Sequence, residues 1–150
     1  MVVRPAQPSD KPHLIEFQQR MALETENLTL DVPTVTRGVE AVFADPHKGR
    51  YFVVENEGRV IACLMITYEW SDWRCGQVWW IQSVYVLPAY RGQGVYKFLY
   101  LHIKKQVQFD PELRGIRLYV DKTNQAAQGV YSKLGMNGEH YQVFEWTKGG

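Results

Sequence analysis

The run Val84-Tyr85-Val86-Leu87-Pro88-Ala89-Tyr90-Arg91-Gly92-Gln93-Gly94-Val95-Tyr96 joins an apolar, β-branched stretch to a basic turn with two glycines, and then to a helix-forming segment. A strand that feeds a helix through so short a turn commits the chain to packed layers of sheet and helix, because each element has an apolar face to cover. The turn itself reads as an anion cradle. Gly92 and Gly94 reach backbone geometries that a Cβ would block, so successive N–H groups can point at one anion, and the following helix adds the positive end of its dipole. Arg91 sets a formal charge beside them. Two competing phosphate motifs drop out: a dinucleotide fingerprint needs a third glycine where Lys97 stands, and a P-loop needs a Gly-Lys-Ser/Thr ending that this turn lacks.

The rest of the chain supplies the layers. Residues 2–4 are short and β-branched, and Ser9 or Asp10 caps a helix over 12–24 whose inward face is Leu14, Phe17 and Met21, joined by His13. A second helix over 34–43 turns Val35, Val39, Val42 and Phe43 inward and ends at Asp45-Pro46. Residues 50–55 and 59–68 form a hairpin around Asn56-Glu57-Gly58. The stretch 76–87 has apolar residues of both parities, as a strand covered on both faces requires, and belongs inside the sheet. The helix after the glycine turn carries Val95, Phe98, Leu99, His102, Ile103 and Val107 on one side and stops near Phe109-Asp110-Pro111. A strand over 115–120, a helix from Asn124 or Gln125 to Leu134, and a closing strand over 141–146 follow; 147–150 is a loose tail.

At 150 residues the chain is one domain with a real core. A net charge of +1 gives no basic stripe for a nucleic-acid backbone. Arg4, Asp10 and Lys11 exclude a signal-peptide apolar region, and no apolar run approaches the ~20 residues that span a bilayer, so no membrane partner and a cytoplasmic location are expected. Cys63 and Cys75 fit two reduced thiols, and His13, His47, His102 and His140 are too scattered for a metal site. No metal is expected.

The glycine turn resembles the Arg-x-x-Gly-x-Gly/Ala pyrophosphate loop of the GCN5-related N-acetyltransferases (GNAT), read here as Arg91-Gly92-Gln93-Gly94-Val95-Tyr96. A second family motif, an Asn followed by a helix ending Tyr-x-x-x-Gly-Phe/Met, is matched by Asn124-Gln125-Ala126-Ala127 and Tyr131-Ser132-Lys133-Leu134-Gly135-Met136. The resemblance runs from Val2 to Trp146. It implies a mixed α/β fold, with a central mixed sheet of about six to seven strands flanked by about four helices, one acetyltransferase domain over 1–150, and acetyl-CoA as acyl donor. It further implies coenzyme contacts from Arg91, Gly92, Gln93, Gly94, Val95, Tyr96 and Lys97 in the loop. The backbone groups of Val84, Tyr85 and Val86 would hold the pantetheine arm like an added strand. Tyr96 departs from the family's Gly or Ala, which leaves the N–H donors of Gly92, Gln93, Gly94 and Val95.

By the same resemblance, sheet splay frees an N–H for the oxyanion, and Tyr131 returns a proton to the leaving thiolate; a phenol near pKa ~10 is protonated at neutral pH and can donate to a thiolate whose parent thiol lies near ~8.5. Tyr131 also falls on the apolar face of its helix, where an aromatic is ordinarily core. Asn124 binds pantetheine or caps the helix; either role explains it. The stretch from Tyr68 to Tyr85 resembles diamine acetyltransferases in its aromatic richness, but Gln82 and Ser83 stand where those enzymes have acids, which argues against a polyamine acceptor. The base is then a distant carboxylate reached through water, with Glu24, Glu26, Glu69 and Asp72 as candidates. Tyr68, Trp70, Trp73, Trp79, Trp80 and Tyr85 line an acceptor pocket, or Trp70 and Trp73 form a homodimer contact. The expected function is acetyl transfer from acetyl-CoA to a small-molecule primary amine. The alternatives are a catalytically weak acyl-CoA-binding sensor and a peptide or protein amine acetyltransferase.

Overall fold

In the computed structural model, which describes residues 1–149, three consecutive strands are set in register by the turns between them. β1 (Val2–Pro5) precedes two helices, α1 (Lys11–Glu26) and α2 (Val32–Ala44). β2 (Arg50–Asn56) and β3 (Arg59–Ser71) then run antiparallel with Asn56 opposite Arg59. Between them Glu57 and Gly58 both take positive φ, 52° and 77°, the type I′ geometry whose twist suits a two-residue hairpin. β3 and β4 (Gly76–Val86) close a second hairpin with Ser71 opposite Gly76. β1 adds antiparallel to β2, and β5 (Leu113–Arg117) adds parallel to β4 after α3 (Val95–Phe109). The sheet is mixed, in the order β1-β2-β3-β4-β5.

Alternation along β2 assigns the helices to faces. Tyr51 stacks on Phe43 of α2, with centroids 5.9 Å apart, while its neighbour Phe52 meets His102 of α3 at 6.0 Å. Successive strand residues point to opposite faces, so α2 and α3 cover opposite sides. Phe17 of α1 packs on Tyr85 of β4 at 5.2 Å, and Gln18 reaches Cys63, which pairs with both Val53 and Tyr85. That puts α1 on the α2 side. Leu14, Phe17, Val39, Phe52, Ile61, Leu64, Ile66, Leu99 and Ile103 form the buried core. The carboxylate of Asp10, buried among the described residues, takes two hydrogen bonds from Arg4, at 2.7 and 3.1 Å, and one from the Gln7 N–H at 2.7 Å.

Contacts divide the chain into Met1–Arg117 and Leu118–Gly150. The second unit holds α4 (Gln125–Lys133), capped by Asn124, whose side chain accepts from the Ala127 N–H at 3.1 Å.

The mixed α/β architecture with four helices agrees with expectation, and the strand count is lower: five among the described residues. Residues 141–146, expected to close the sheet, form no strand, and Tyr141, Phe144 and Trp146 are more than 80 % exposed. Within 118–149 there is no second strand to offer them a ladder, and a lone strand has no hydrogen-bonding partner. β5 begins two residues earlier than the expected 115 and ends at Arg117 rather than 120. His13 is exposed rather than inward. Of the expected tail, 148–149 form a turn and 150 lies outside the described residues.

Candidate functional site

The site begins where β4 loses its neighbour. Its parallel ladder with β5 ends at Trp80 opposite Arg117, and residues 81–86 continue without a β5 partner. On the other edge, Cys63 opposes Tyr85 and Met65 opposes Gln82, so two steps along β3 face three along β4. The extra residue makes a β-bulge, with Ser83 at φ 55° and its carbonyl accepting from the Cys63 thiol at 3.5 Å. A bulge re-aims the strand and increases its local twist. Among the described residues, no strand pairs with β4 on its β5 side at Val84, Tyr85 and Val86, which leaves an edge where an extended ligand can add, with the Val86 carbonyl held by Arg91.

Past Val86, Pro88–Tyr90 makes one 3-10 turn and the chain enters the glycine loop. Gly92 and Gly94 have φ of 73° and 78°, the left-handed region that glycine enters without strain. Gly94 is the residue before α3, and a Cβ built on either glycine meets nothing within 4 Å. The loop is therefore open where an anion would approach, and the first-turn N–H groups of α3 have no partners within the helix. Arg91, Gly92, Gln93, Gly94 and Lys97 are exposed, Tyr96 is half-buried with its ring 6.2 Å from Tyr100, and Val95 is buried into the core. The Gln93 side chain ties the loop to the Ala89 carbonyl at 2.9 Å. These features fit a coenzyme pyrophosphate on the loop and a pantetheine arm along β4.

Beside the β4 edge is a cleft of about 450 Å³ lined by Met21, Glu24, Thr25, Val84, Tyr85, Val86 and Arg91. Its polar floor is a triad. The Tyr85 hydroxyl donates to Glu24, Arg91 Nη2 donates to Glu24 Oε1 at 2.7 Å, and Arg91 Nε donates to the Val86 carbonyl at 2.9 Å. The guanidinium lies 5.2 Å over the Tyr85 ring. The Tyr85 hydrogen bond, followed by Arg91, holds the Glu24 carboxyl below its ordinary range. Desolvation and then the Glu24 hydrogen bond push the Tyr85 phenol up.

The other sequence candidates are distributed elsewhere. Glu69 accepts from Trp80 Nε1 at 2.8 Å and from Arg117 at 2.7 Å, bracing three strands, and those two contacts lower its pKa. Asp72 accepts the Trp73 N–H at 2.9 Å in the hairpin turn. Glu26 ends α1 and is exposed. Gln82 Oε1 accepts the Thr67 hydroxyl at 3.1 Å. Trp70 and Trp73 are 66 % and 93 % exposed, while Trp79 is buried between Phe52 and Tyr68. Tyr131 is half-buried on α4, on the same face as Ala127 and Leu134. Asn124 Oδ1 is engaged in capping. Among the described residues, no group of three His, Cys, Asp or Glu is arranged to hold a metal, and no helix is long and apolar enough to cross a membrane. Both cysteines are free, and burial pushes the Cys63 thiol up to about 12.

Sequence reading placed Glu24 only among four distant carboxylates. The signal for more was present: Glu24 continues the inward stripe of Leu14, Phe17 and Met21 at helical spacing, so a charge was being carried on a core-facing line of α1.

The family model that matches is described as the acetyltransferase (GNAT) family and covers residues 16–136. A crystal structure of a possible acetyltransferase from Clostridium difficile 630 is 40 % identical, with a TM-score of 0.91 over 97 % of this chain and 96 % of that one. A probable acetyltransferase at 16 % identity superposes with a TM-score of 0.86 over 100 % of this chain and 99 % of the other. A structure described as a predicted acetyltransferase with acetyl-CoA, from Clostridium acetobutylicum, is 18 % identical with a TM-score of 0.74 over 96 % and 95 % of the two chains. No curated protein matches the chain.

Proposed function

We propose that this chain, which belongs to the acetyltransferase (GNAT) family, transfers the acetyl group of acetyl-CoA to a primary amine of a small molecule by direct attack in a ternary complex. The observation that carries the reading is the continuity of one path: a bulged β4 with an open edge at residues 81–86, leading into the glycine loop at the start of α3. Such a path suits a long ligand with an extended, amide-bearing arm at one end and a pyrophosphate at the other. A structural relative crystallised with acetyl-CoA supports the same donor.

In this reading, the N–H groups of Gly92, Gln93, Gly94 and Val95 take the pyrophosphate, aided by the dipole of α3. Val84, Tyr85 and Val86 hold the pantetheine amides by backbone hydrogen bonds. A neutral amine attacks the thioester carbonyl carbon, the new C–N bond forms, and the C–S bond breaks. A strand N–H near the bulge stabilises the oxyanion on the way, a donor worth ~3 kcal/mol in comparable sites. The family resemblance assigns to Tyr131 on α4 the proton that the departing thiolate takes up. The proton lost by the amine leaves through water, because Gln82 and Ser83 are not bases and the Tyr85 hydrogen bond above all holds Glu24 below the usual carboxylate range.

The test is release of free coenzyme A thiol from acetyl-CoA against a panel of aminoglycosides, amino acids, aromatic amines, polyamines and short peptides. An acceptor-dependent signal from a small amine is the expected result. Silence across the panel, with coenzyme binding confirmed separately, would overturn the small-molecule reading in favour of a protein acceptor or a binding module.

A further inference from the structure

The residue that opens the anion loop is also part of the neighbouring cleft. Arg91 donates from Nε to the Val86 carbonyl at 2.9 Å and from Nη2 to Glu24 at 2.7 Å, and Glu24 takes the Tyr85 hydroxyl on its other oxygen. One carboxylate at the end of α1 thus holds both a strand side chain and the cation of the loop. The Arg91–Glu24 pair is partly open to water, with side chains 47 % and 36 % exposed, and exposed ion pairs are weak. A pyrophosphate seated on the next four residues would offer the same guanidinium a stronger, multiply charged partner.

Resting on the acetyltransferase reading, we propose that Glu24 is a positioning residue for the coenzyme: it holds Arg91 in reserve over Tyr85, and the pyrophosphate of acetyl-CoA takes Arg91 from it. The exchange has two consequences for the cleft. The Val86 carbonyl is released to the pantetheine amides, and the Glu24 carboxylate is left facing the cleft beside Tyr85, where it attracts an acceptor that arrives as an ammonium ion. Coenzyme binding therefore switches on the negative charge of the acceptor side.

The experiment is a double-mutant cycle on coenzyme A binding by titration calorimetry, with wild type, Glu24→Gln, Arg91→Gln and the double variant, each checked by thermal melting. Glu24→Gln is expected to tighten coenzyme A about two- to fivefold, since the competing pair is gone. Arg91→Gln should weaken it about tenfold, the scale of a charged hydrogen bond. In the Arg91→Gln background the Glu24→Gln change should add nothing. Unchanged or weaker binding by Glu24→Gln would mean a static brace. Tightening that persists without Arg91 would mean plain repulsion of phosphate by Glu24. Either result sinks the exchange while wild-type coenzyme binding still stands; a wild type that fails to bind coenzyme A sinks the acetyltransferase reading itself. Should a variant misfold, the Arg91 Nε–H resonance of the isotope-labelled wild type gives the same answer: it shifts on addition of coenzyme A if the exchange occurs, and a stationary signal at saturation refutes it.

Discussion

Ser83 stands at φ 55° in the body of β4, a left-handed geometry that costs an L-residue ~1–2 kcal/mol. The neighbouring structure holds it there through the bulge register and the Cys63 thiol on its carbonyl. A β-branched residue tolerates that backbone worst, so Ser83→Val should lower stability by about 1–2 kcal/mol, whereas Ser83→Gly should stay within about 1 kcal/mol of the parent. Urea unfolding of the two variants checks this. A larger loss for Gly than for Val would show that side-chain packing at this position outweighs the backbone geometry. Tyr131 poses the complementary question, a side chain on the apolar side of α4 whose ring alone would explain its place. Tyr131→Phe keeps the ring and removes the proton. It should lower kcat by about 10²-fold, the scale of general acid catalysis, with coenzyme affinity nearly intact. An unchanged rate in the thiol-release assay would leave Tyr131 a packing residue.

At the scale of elements, the junction of the glycine loop with α3 carries the most function per residue. Gly94 has φ 78° and open space where its Cβ would go. Gly94→Ala therefore clashes with nothing in the protein, and its cost divides into ~1 kcal/mol of backbone strain and a methyl group in the path of the phosphates. Coenzyme A affinity should fall about tenfold or more, out of proportion to a modest fall in melting temperature; calorimetry beside a thermal melt separates the two. This junction was legible in the sequence because its determinants are local: a both-faces apolar strand, two glycines two apart, and a helix of regular period. The Glu57-Gly58 turn and the Asn124 cap were legible for the same reason. What local pattern could not reach were long-range matters. Glu24 and Arg91 meet across 67 residues of sequence, and a bulge at Ser83 is a mismatch of count between two strands, invisible in either strand alone. The run at 141–146 carried a strand pattern, but a strand is a relation between two segments, and the described residues of the unit that holds it supply no second one.

For the whole molecule, the titrating groups with a resolved folded-state shift lean mostly one way in acid. Arg4, through its hydrogen bond above all, holds the buried Asp10 carboxyl below the ordinary carboxylate range. The unfolded chain then binds that proton more readily, so the stability Asp10 lends is full above the unfolded value of ~4 and is lost as pH falls through the lower folded value. His102, packed against Phe52 under α3, acts in the same direction at higher pH. Burial first, then Lys105 and Arg50, lowers its pKa. Its contribution is full above ~6.5 and drains as pH falls through the folded value, because the unfolded chain accepts the imidazolium proton first. Urea midpoints measured from pH 8 downward should therefore decline in two stages. Asp10→Asn should cost about 1–3 kcal/mol at pH 7, by breaking the bond to a partly buried Arg4, and should flatten the lower stage. His102→Gln should flatten the upper stage and leave the lower one in place. If Asp10→Asn keeps the full acid slope, the response belongs instead to the exposed carboxylates held low by partners, Glu24 and Glu69. Added salt distinguishes that case, since it weakens their exposed ion pairs more than the less exposed Arg4–Asp10 pair at the start of α1.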